Sequence, residues 1–257
     1  MNILAVLRMT PDPAGEFEVR EDGSGLDREW VDFQLSDFDE QALEEAILLK
    51  EASGGRVTAI AIGEGANRAL QMAVARGADE AVLIEGEPGE LLSSRWLAEA
   101  VVALARERGT DVVPSGVQTG EDLFGQFAPY AGAMLDWPHV SGTSRIAWVS
   151  GALHVAQERG GGVTANYRVG LPVVLGVQTA TKVPRYVSGS KLREASKTSI
   201  ARVSVSDFVP SPSVRTLHLK PLVQAGGGES LGDTAEQVAD RIATILAERG
   251  LTGVRLV

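Results

Sequence analysis

RVTAIAIGEGANRALQMAVAR, residues 56–76, sets the fold in one line. The apolar run 56–62 reads as a buried strand, two glycines make a tight turn, and 66–76 has the spacing of a helix. The same unit recurs on either side. Residues 2–7 (NILAVL) read as a strand. Residues 38–50 read as a helix with Phe38, Ala42, Ala46 and Leu49 on one side. Ser36 with Asp39 three residues on has the form of an acidic capping box. A short strand at 81–84, an amphipathic helix at 94–108 and a strand at 111–115 follow, and then a helix over 121–135 that Trp137-Pro138 stops. Residues 16–33 are polar and turn-rich around Asp22-Gly23-Ser24-Gly25, as in a hairpin excursion.

Strands alternating with helices predict an α/β fold: a parallel, Rossmann-like sheet with helices on both faces. Strands 2–7, 56–62, 81–84 and 111–115 should run parallel. The second half predicts an antiparallel addition over 142–157, further strands at 163–169 and 173–177, and a polar, exposed stretch over 185–198. Residues 206–212 carry two prolines and read as a connector; Gly226-Gly227-Gly228 precede a last helix at 234–249. The expected organisation is an α/β domain over 1–205 and a C-terminal extension over 206–257, ending in a helix arm.

Composition narrows the function. The 257 residues suffice for a core without staples, and cysteine is absent, which removes disulfides, thiolate metal sites and a cysteine nucleophile. Lysine plus arginine number 24 against 34 acidic residues, a net charge of −10 that repels nucleic acid on average. No apolar run approaches the roughly 18 residues of a membrane span, so direct membrane insertion is not expected. Met1 leads almost at once into the first strand, so a cytoplasmic location is expected.

Catalytic machinery is not visible. His139, His154 and His218 lack metal-ligand spacing, and no nucleophile elbow, P-loop or H-E-x-x-H occurs. Glu44-Glu45 reads as a solvated helix face. The expectation is a protein without catalytic residues or a metal of its own. Two loops remain. Gly63-Glu64-Gly65 is part of a dinucleotide fingerprint with Arg68 in the third glycine's place; it reads either as a plain turn or as amides lining a pocket. Residues 116–131 (GVQTGEDLFGQFAPYA) join a strand end to a helix start, where parallel sheets bind ligands. Glu121 and Asp122 read equally as helix caps or as acceptors for ribose hydroxyls.

Several segments together carry a resemblance. Residues 36–46 (SDFDEQALEEA) echo N-P-F-(D/C)-E-x-A-x-E-E-A, and 76–81 (RGADEA) echo M-G-A-D-x-A. Residues 116–126 and Leu135-Asp136-Trp137-Pro138 echo G-x-Q-x-x-D-D-x-x-x-Q-T-G-Q and L-x-W-P; Leu171-Pro172-Val173-Val174 and Pro184-Arg185-Tyr186 echo L-P-A-V-V and P-R-Y. In order and spacing, from Met1 to about Val205, the chain resembles the beta subunit of electron transfer flavoprotein.

The resemblance implies a heterodimer with an alpha subunit, an FAD held mainly by that subunit, dehydrogenases as electron donors and a downstream quinone-reducing oxidoreductase as acceptor. It implies an AMP site built from Val6, Ser36, Asp37, Phe38, Asp39, Ile62, Gly63, Gly120, Glu121, Asp122, Leu123, Phe124, Gly125, Gln126, Phe127, Ala128 and Ala131. It also implies a dehydrogenase-docking segment with Pro184, Arg185, Tyr186, Gly189 and Leu192, and a C-terminal helix packed on the partner. Two relatives of this reading are a bifurcating type with a second FAD in the AMP pocket and a non-redox nucleotide-binding protein of the same fold. Where the family has T-G after glutamine, this chain has Phe127-Ala128 and then Pro129, so a weaker grip on AMP phosphate is expected. Gly189 stands where the family has an anchoring leucine, which leaves Leu192 as the expected anchor. Pro13 stands where the family places an aromatic near the flavin.

Overall fold

The computed structural model describes residues 1–15, 17–27, 29, 31–86, 94–120, 122, 124–204, 218–221 and 227–251. Strands β1 (Asn2–Pro11), β2 (Phe33–Leu35), β3 (Arg56–Ile62), β4 (Glu80–Glu85) and β5 (Val112–Gly116) come first, with helices α1 (Asp37–Ser53), α2 (Ala66–Arg76) and α3 (Ser94–Glu107) between them. Then come α4 (Phe127–Leu135), β6 (His139–Val149), β7 (Ala152–Glu158), β8 (Thr164–Val169), β9 (Val173–Val177), α5 (Gly189–Ala195) and β10 (Ala201–Ser204). One mixed sheet has the order β10-β4-β3-β1-β5-β9-β6-β7-β8, with β2 paired to β1.

The expected parallel strands are parallel: β1 pairs with β3 and β5, and β3 with β4. β6, β7 and β8 form the antiparallel addition. Alternation along β1 divides the core. Ile3, Ala5 and Leu7 pack with Ala42, Leu43 and Leu70 of α1 and α2. Leu4 and Val6 pack on the other face with Trp96, Val101 and Phe127 of α3 and α4. With both faces covered, a central strand has no polar face, which is why Ile3–Leu7 of β1 and Ala59–Ile62 of β3 read as apolar runs. The arrangement is Rossmann-like.

The excursion is a small hairpin: Val19 bridges Leu26 antiparallel, and Asp27 N–H donates to the Glu18 carbonyl. Two local expectations differ. The helix expected from 121 begins at Phe127 instead. Pro129 then lies in the first turn, where a helix needs no N–H from it; a helix from 121 would have put it in the interior. Ser36 does stand before α1, but its side chain makes no cap bond, and the Asp39 carboxylate is engaged by Arg8 and Gly116 and not by the Ser36 amide. The polar stretch 185–198 includes the short helix α5, capped by the Ser188 hydroxyl accepting from Lys191 N–H.

The chain divides into units Met1–Leu219 and Lys220–Val257. In the second, α6 (Ala235–Glu248) starts at Thr234, whose hydroxyl accepts from Gln237 N–H. None of its residues is buried, and Val238, Ile242 and Ile245 recur at helical spacing. The connector expected at 206–212 lies outside the described residues. Among the described residues no helix is long and apolar enough to cross a membrane.

The end of β5 meets the start of α1 so closely that a Cβ on Gly116 would stand 2.7 Å from both the Asp39 amide nitrogen and the Phe38 carbonyl carbon. Gly116→Ala should therefore lower stability by about 1–3 kcal/mol, the usual cost of overpacking. Urea unfolding measures it; a wild-type midpoint would show that the backbone yields freely there.

Candidate functional site

In the strand order, the chain moves from β1 toward β3 and β4 on one side, then returns to β5 and continues to β9 on the other. The carboxyl ends of β1 and β5 thus flank the topological switch point, the usual ligand crevice of an open parallel sheet. Arg8, near the end of β1, sits there with only 7% of its surface exposed. Its Nε and Nη2 donate to the two oxygens of Asp39, each at 2.9 Å. Nη2 also donates to the Gly116 carbonyl at 2.8 Å, and Nη1 reaches Asp122 Oδ2 at 3.4 Å.

Asp39 is fully buried, at 0% exposure, and accepts two further bonds from the Arg8 amide (2.9 Å) and the Gly116 amide (2.6 Å). Both carboxylate oxygens are therefore saturated from within the chain. Asp39 organises the floor of the crevice, joining β1, β5 and α1. Ser36 is buried beside it, its amide donating to the Arg8 carbonyl.

The loop after β5 folds back on itself. Asp122 N–H donates to Thr119 Oγ1 at 2.9 Å, and Gly125 N–H to the Asp122 carbonyl. Gly125 has φ +58, a left-handed conformation, and a Cβ there would stand 2.6 Å from the Val117 carbonyl oxygen. Gly120 and Gln126 are exposed, and the Phe124 ring is 73% exposed. Phe127, Ala128 and Ala131 turn into the core under α3, so only their backbone faces the crevice side. Helix start amides lack intrahelical partners and favour an anion; Phe127 and Ala128 supply such amides, and Pro129 supplies none. Asp37 is exposed and Phe38 half-buried at the α1 start. Val6 and Ile62 are buried core residues of β1 and β3. Glu121 and Leu123 lie outside the described residues.

At the other loop, Gly63 and Gly65 both take positive φ, +88 and +74. The amides of Ala66 and Arg68 turn back onto the Gly63 and Gly65 carbonyls. Those donors are spent within the turn, which favours the plain strand–helix reading there.

Of the residues expected to dock a dehydrogenase, Pro184, Arg185 and Tyr186 lie on a strap along α1, and Gly189 and Leu192 lie in α5. Arg185 donates through Nε and Nη2 to Glu44 (3.0 and 2.8 Å) and through Nη1 to Glu51 (2.7 Å). Thr181 donates to Glu45 through its amide (2.7 Å) and hydroxyl (3.2 Å). Glu44 and Glu45 are thus buried, not the solvated face that their position in the helix implies. The strap that covers them lies well over a hundred residues along the chain, so local spacing could not show it. Pro184 and Leu192 are half-buried, Gly189 is exposed, and Tyr186 is 89% exposed. Glu44 and Glu51 push the Arg185 guanidinium pKa further up, and the Arg185 bond pulls Glu51 down. Burial raises Glu45 above its ordinary 4.5, against the two Thr181 bonds.

Sequence reasoning missed Arg8, Gln41 and Thr181. Arg8 carried a signal: a charge inside a strand buried on both faces must have a buried partner.

Breaking a buried ion pair from one side leaves an uncompensated charge. Asp39→Ala should cost about 3–5 kcal/mol, whereas Asp122→Asn, at the longest of the Arg8 contacts, should cost under about 1 kcal/mol. Urea titration of both variants checks the ranking, and equal costs would refute it. A second expectation concerns pH. Because the folded value of Glu45 is raised, its protonated form is favoured by folding. That contribution is fully present below the ordinary value of 4.5 and is lost as pH rises through the raised one. The stability of Glu45→Gln relative to wild type should therefore grow as pH climbs from about 4.5 toward neutrality. Parallel melting curves across that window test the sign.

Comparison with known proteins agrees with this architecture. The family model of the electron transfer flavoprotein domain matches residues 25–208. The electron transfer flavoprotein subunit beta of Methylophilus methylotrophus is 27% identical over 81% of this chain and 81% of its own length. The Bacillus subtilis subunit of the same name is 25% identical over 96% of this chain and 98% of its own. The human one is 28% identical over 81% and 83%. The chain belongs to the electron transfer flavoprotein family, on its beta-subunit branch.

Proposed function

We propose that the chain is the beta subunit of a heterodimeric electron carrier, with an alpha subunit as partner and an FAD held mainly by that partner. Dehydrogenases deliver electrons to the dimer, and a quinone-reducing oxidoreductase downstream takes them. The flavin, when bound, supplies the uptake and release of electrons; the protein supplies position and surroundings. The observation that carries this reading is a convergence. The family-like segments at 36–46 and 116–126 meet at one crevice, through the 2.6 Å bond from the Gly116 amide to Asp39.

The crevice suits an adenine nucleotide in position, at strand ends and helix starts. Its charge suits a phosphate less well: Arg8 stands between Asp39 and Asp122, so the cluster is net −1. The phosphate would depend on the amides at the start of α4, with Pro129 contributing none. Asp122 and the α1 start near Asp37 and Phe38 are the groups left for ribose and base. This supports AMP as a structural ligand held more weakly than is usual in the family. The apolar stripe of α6 supports its packing on the partner subunit, and exposed Tyr186 supports the strap as the dehydrogenase-docking segment.

The test is purification of the chain alone and with a co-expressed alpha subunit, followed by acid extraction. The chain alone should carry little flavin, and the dimer one flavin with AMP that is lost on extensive dialysis. Stoichiometric AMP after dialysis would overturn the weak grip. A second flavin per dimer would replace AMP in this reading with the bifurcating type. Failure to form a dimer would favour a nucleotide-binding protein outside electron transfer.

A further inference from the structure

Segment 180–186 is held to α1 chiefly by polar groups. Gln41, Glu44 and Glu45 share one helix face at the (i, i+3, i+4) spacing. Gln41 accepts from Ala180 N–H at 3.0 Å, Glu45 from Thr181, and Glu44 from both the amide (2.9 Å) and the guanidinium of Arg185. Glu51, two turns beyond Glu44, takes the outer edge of the same guanidinium. Meanwhile the apolar side chains that could have pinned the strap by burial do not: Val183 and Tyr186 are each 89% exposed. Of 180–186, Ala180 alone is buried.

Burying two adjacent carboxylates is expensive, and an apolar contact would usually hold a strand of chain as well or better. What hydrogen-bonded carboxylates add is direction. Three successive backbone or guanidinium donors are fixed at set points along a rigid helix, and the side chains between them are left facing water. The strap runs on directly to Ser188, the cap of α5.

We infer that Glu44 and Glu45 are positioning residues for partner docking: with Gln41 and Glu51 they clasp 180–185 so that Val183, Tyr186 and α5 are presented in one arrangement. This rests on the reading of the strap as the docking segment. Gln41, Glu44, Glu45 and Glu51 bond the strap and none belongs to the Arg8–Asp39–Asp122 cluster, so the clasp is expected to act on encounter with the donor and not on electron transfer within the dimer. The rim is basic, with Lys182, Lys191, Arg193 and Lys197 exposed against Glu194, on a chain whose net charge is −10. A donor surface with an apolar cleft and an acidic edge is what it fits.

The experiment uses the reconstituted heterodimer. Glu44→Gln keeps shape and volume but removes the charge that holds Arg185, and Glu51→Gln does the same at the surface, where folding is not at risk. The first readout is hydrogen exchange over 178–195, with trypsin nicking after Lys182 and Arg185 as a second probe. Exchange and nicking in Glu44→Gln should rise by about tenfold while the sheet keeps its protection; Glu51→Gln should give a rise of about two- to threefold. The second readout is electron delivery from the donor dehydrogenase, fractionated from source cells by its reduction of the wild-type dimer. For Glu44→Gln the KM for the dimer should rise by about fivefold or more, with kcat and the flavin spectrum unchanged.

Unchanged exchange over 178–195 in both variants would overturn the clasp. Faster exchange with unchanged KM would overturn its role in docking. A separate variant, Val183→Ser with Tyr186→Ser and Leu192→Ala, tests the docking reading itself. If its KM is also unchanged, the strap is not the docking segment; if its KM rises while that of Glu44→Gln does not, the docking reading stands and the clasp inference fails. Should Glu44→Gln not fold, Glu51→Gln decides the matter, and wild-type exchange and KM there would refute the inference.

Discussion

The guanidinium of Arg8 and the carboxylate of Asp39 hold the centre of the sheet to the helix that covers it. Two charges buried side by side are tolerable only when every donor and acceptor is used. Here Asp39 accepts four bonds, from the Arg8 side chain, the Arg8 amide and the Gly116 amide. Three elements far apart in sequence, β1, α1 and β5, are fixed by one carboxylate. The close approach at Gly116 follows from that bond, and the start of α1 is set where a ligand crevice must lie. The same saturation takes Asp39 away from any ligand, so the network shapes the crevice without contributing a free acceptor to it.

Around that centre the sheet distributes its roles by face and by end. Alternate residues of β1 feed two separate apolar cores, so neither face of the strand is available for chemistry. Only the strand ends remain, and among them the β1–β5 junction is where neighbouring loops diverge. The loop after β5 fills this place with glycines, an exposed phenylalanine and a helix whose first turn includes a proline. A crevice of this make has backbone amides to offer and one bound cation already neutralised.

Helix α1 serves both the crevice and the strap. Ser36 stands at its N-cap and Asp39 lies in its first turn at the crevice, and the next turns carry Gln41, Glu44 and Glu45 against the strap. A helix rises about 1.5 Å per residue, so these two sets of contacts lie within a few turns of one rigid rod.

The sequence by itself determined the layered α/β fold, the parallel strands, the antiparallel addition and the family. The fold and strand directions follow from short-range periodicity, since the middle of a strand buried on both faces writes itself as an apolar run; the family follows from the order and spacing of the matching segments. The crevice region was legible too, because loop position after a strand is a local property. The tertiary structure alone decided how the charges pair. Arg8 could be recognised as needing a partner, but nothing local names Asp39 and Gly116. Glu44 and Glu45 looked solvated because a helix face shows no sign of what will cover it from 136 to 141 residues away. The start of α4 was misplaced by a few residues, since only the folded loop shows that Pro129 belongs to a first turn. Periodicity is a property of neighbours in the chain; the pairing of buried charges is a property of neighbours in space.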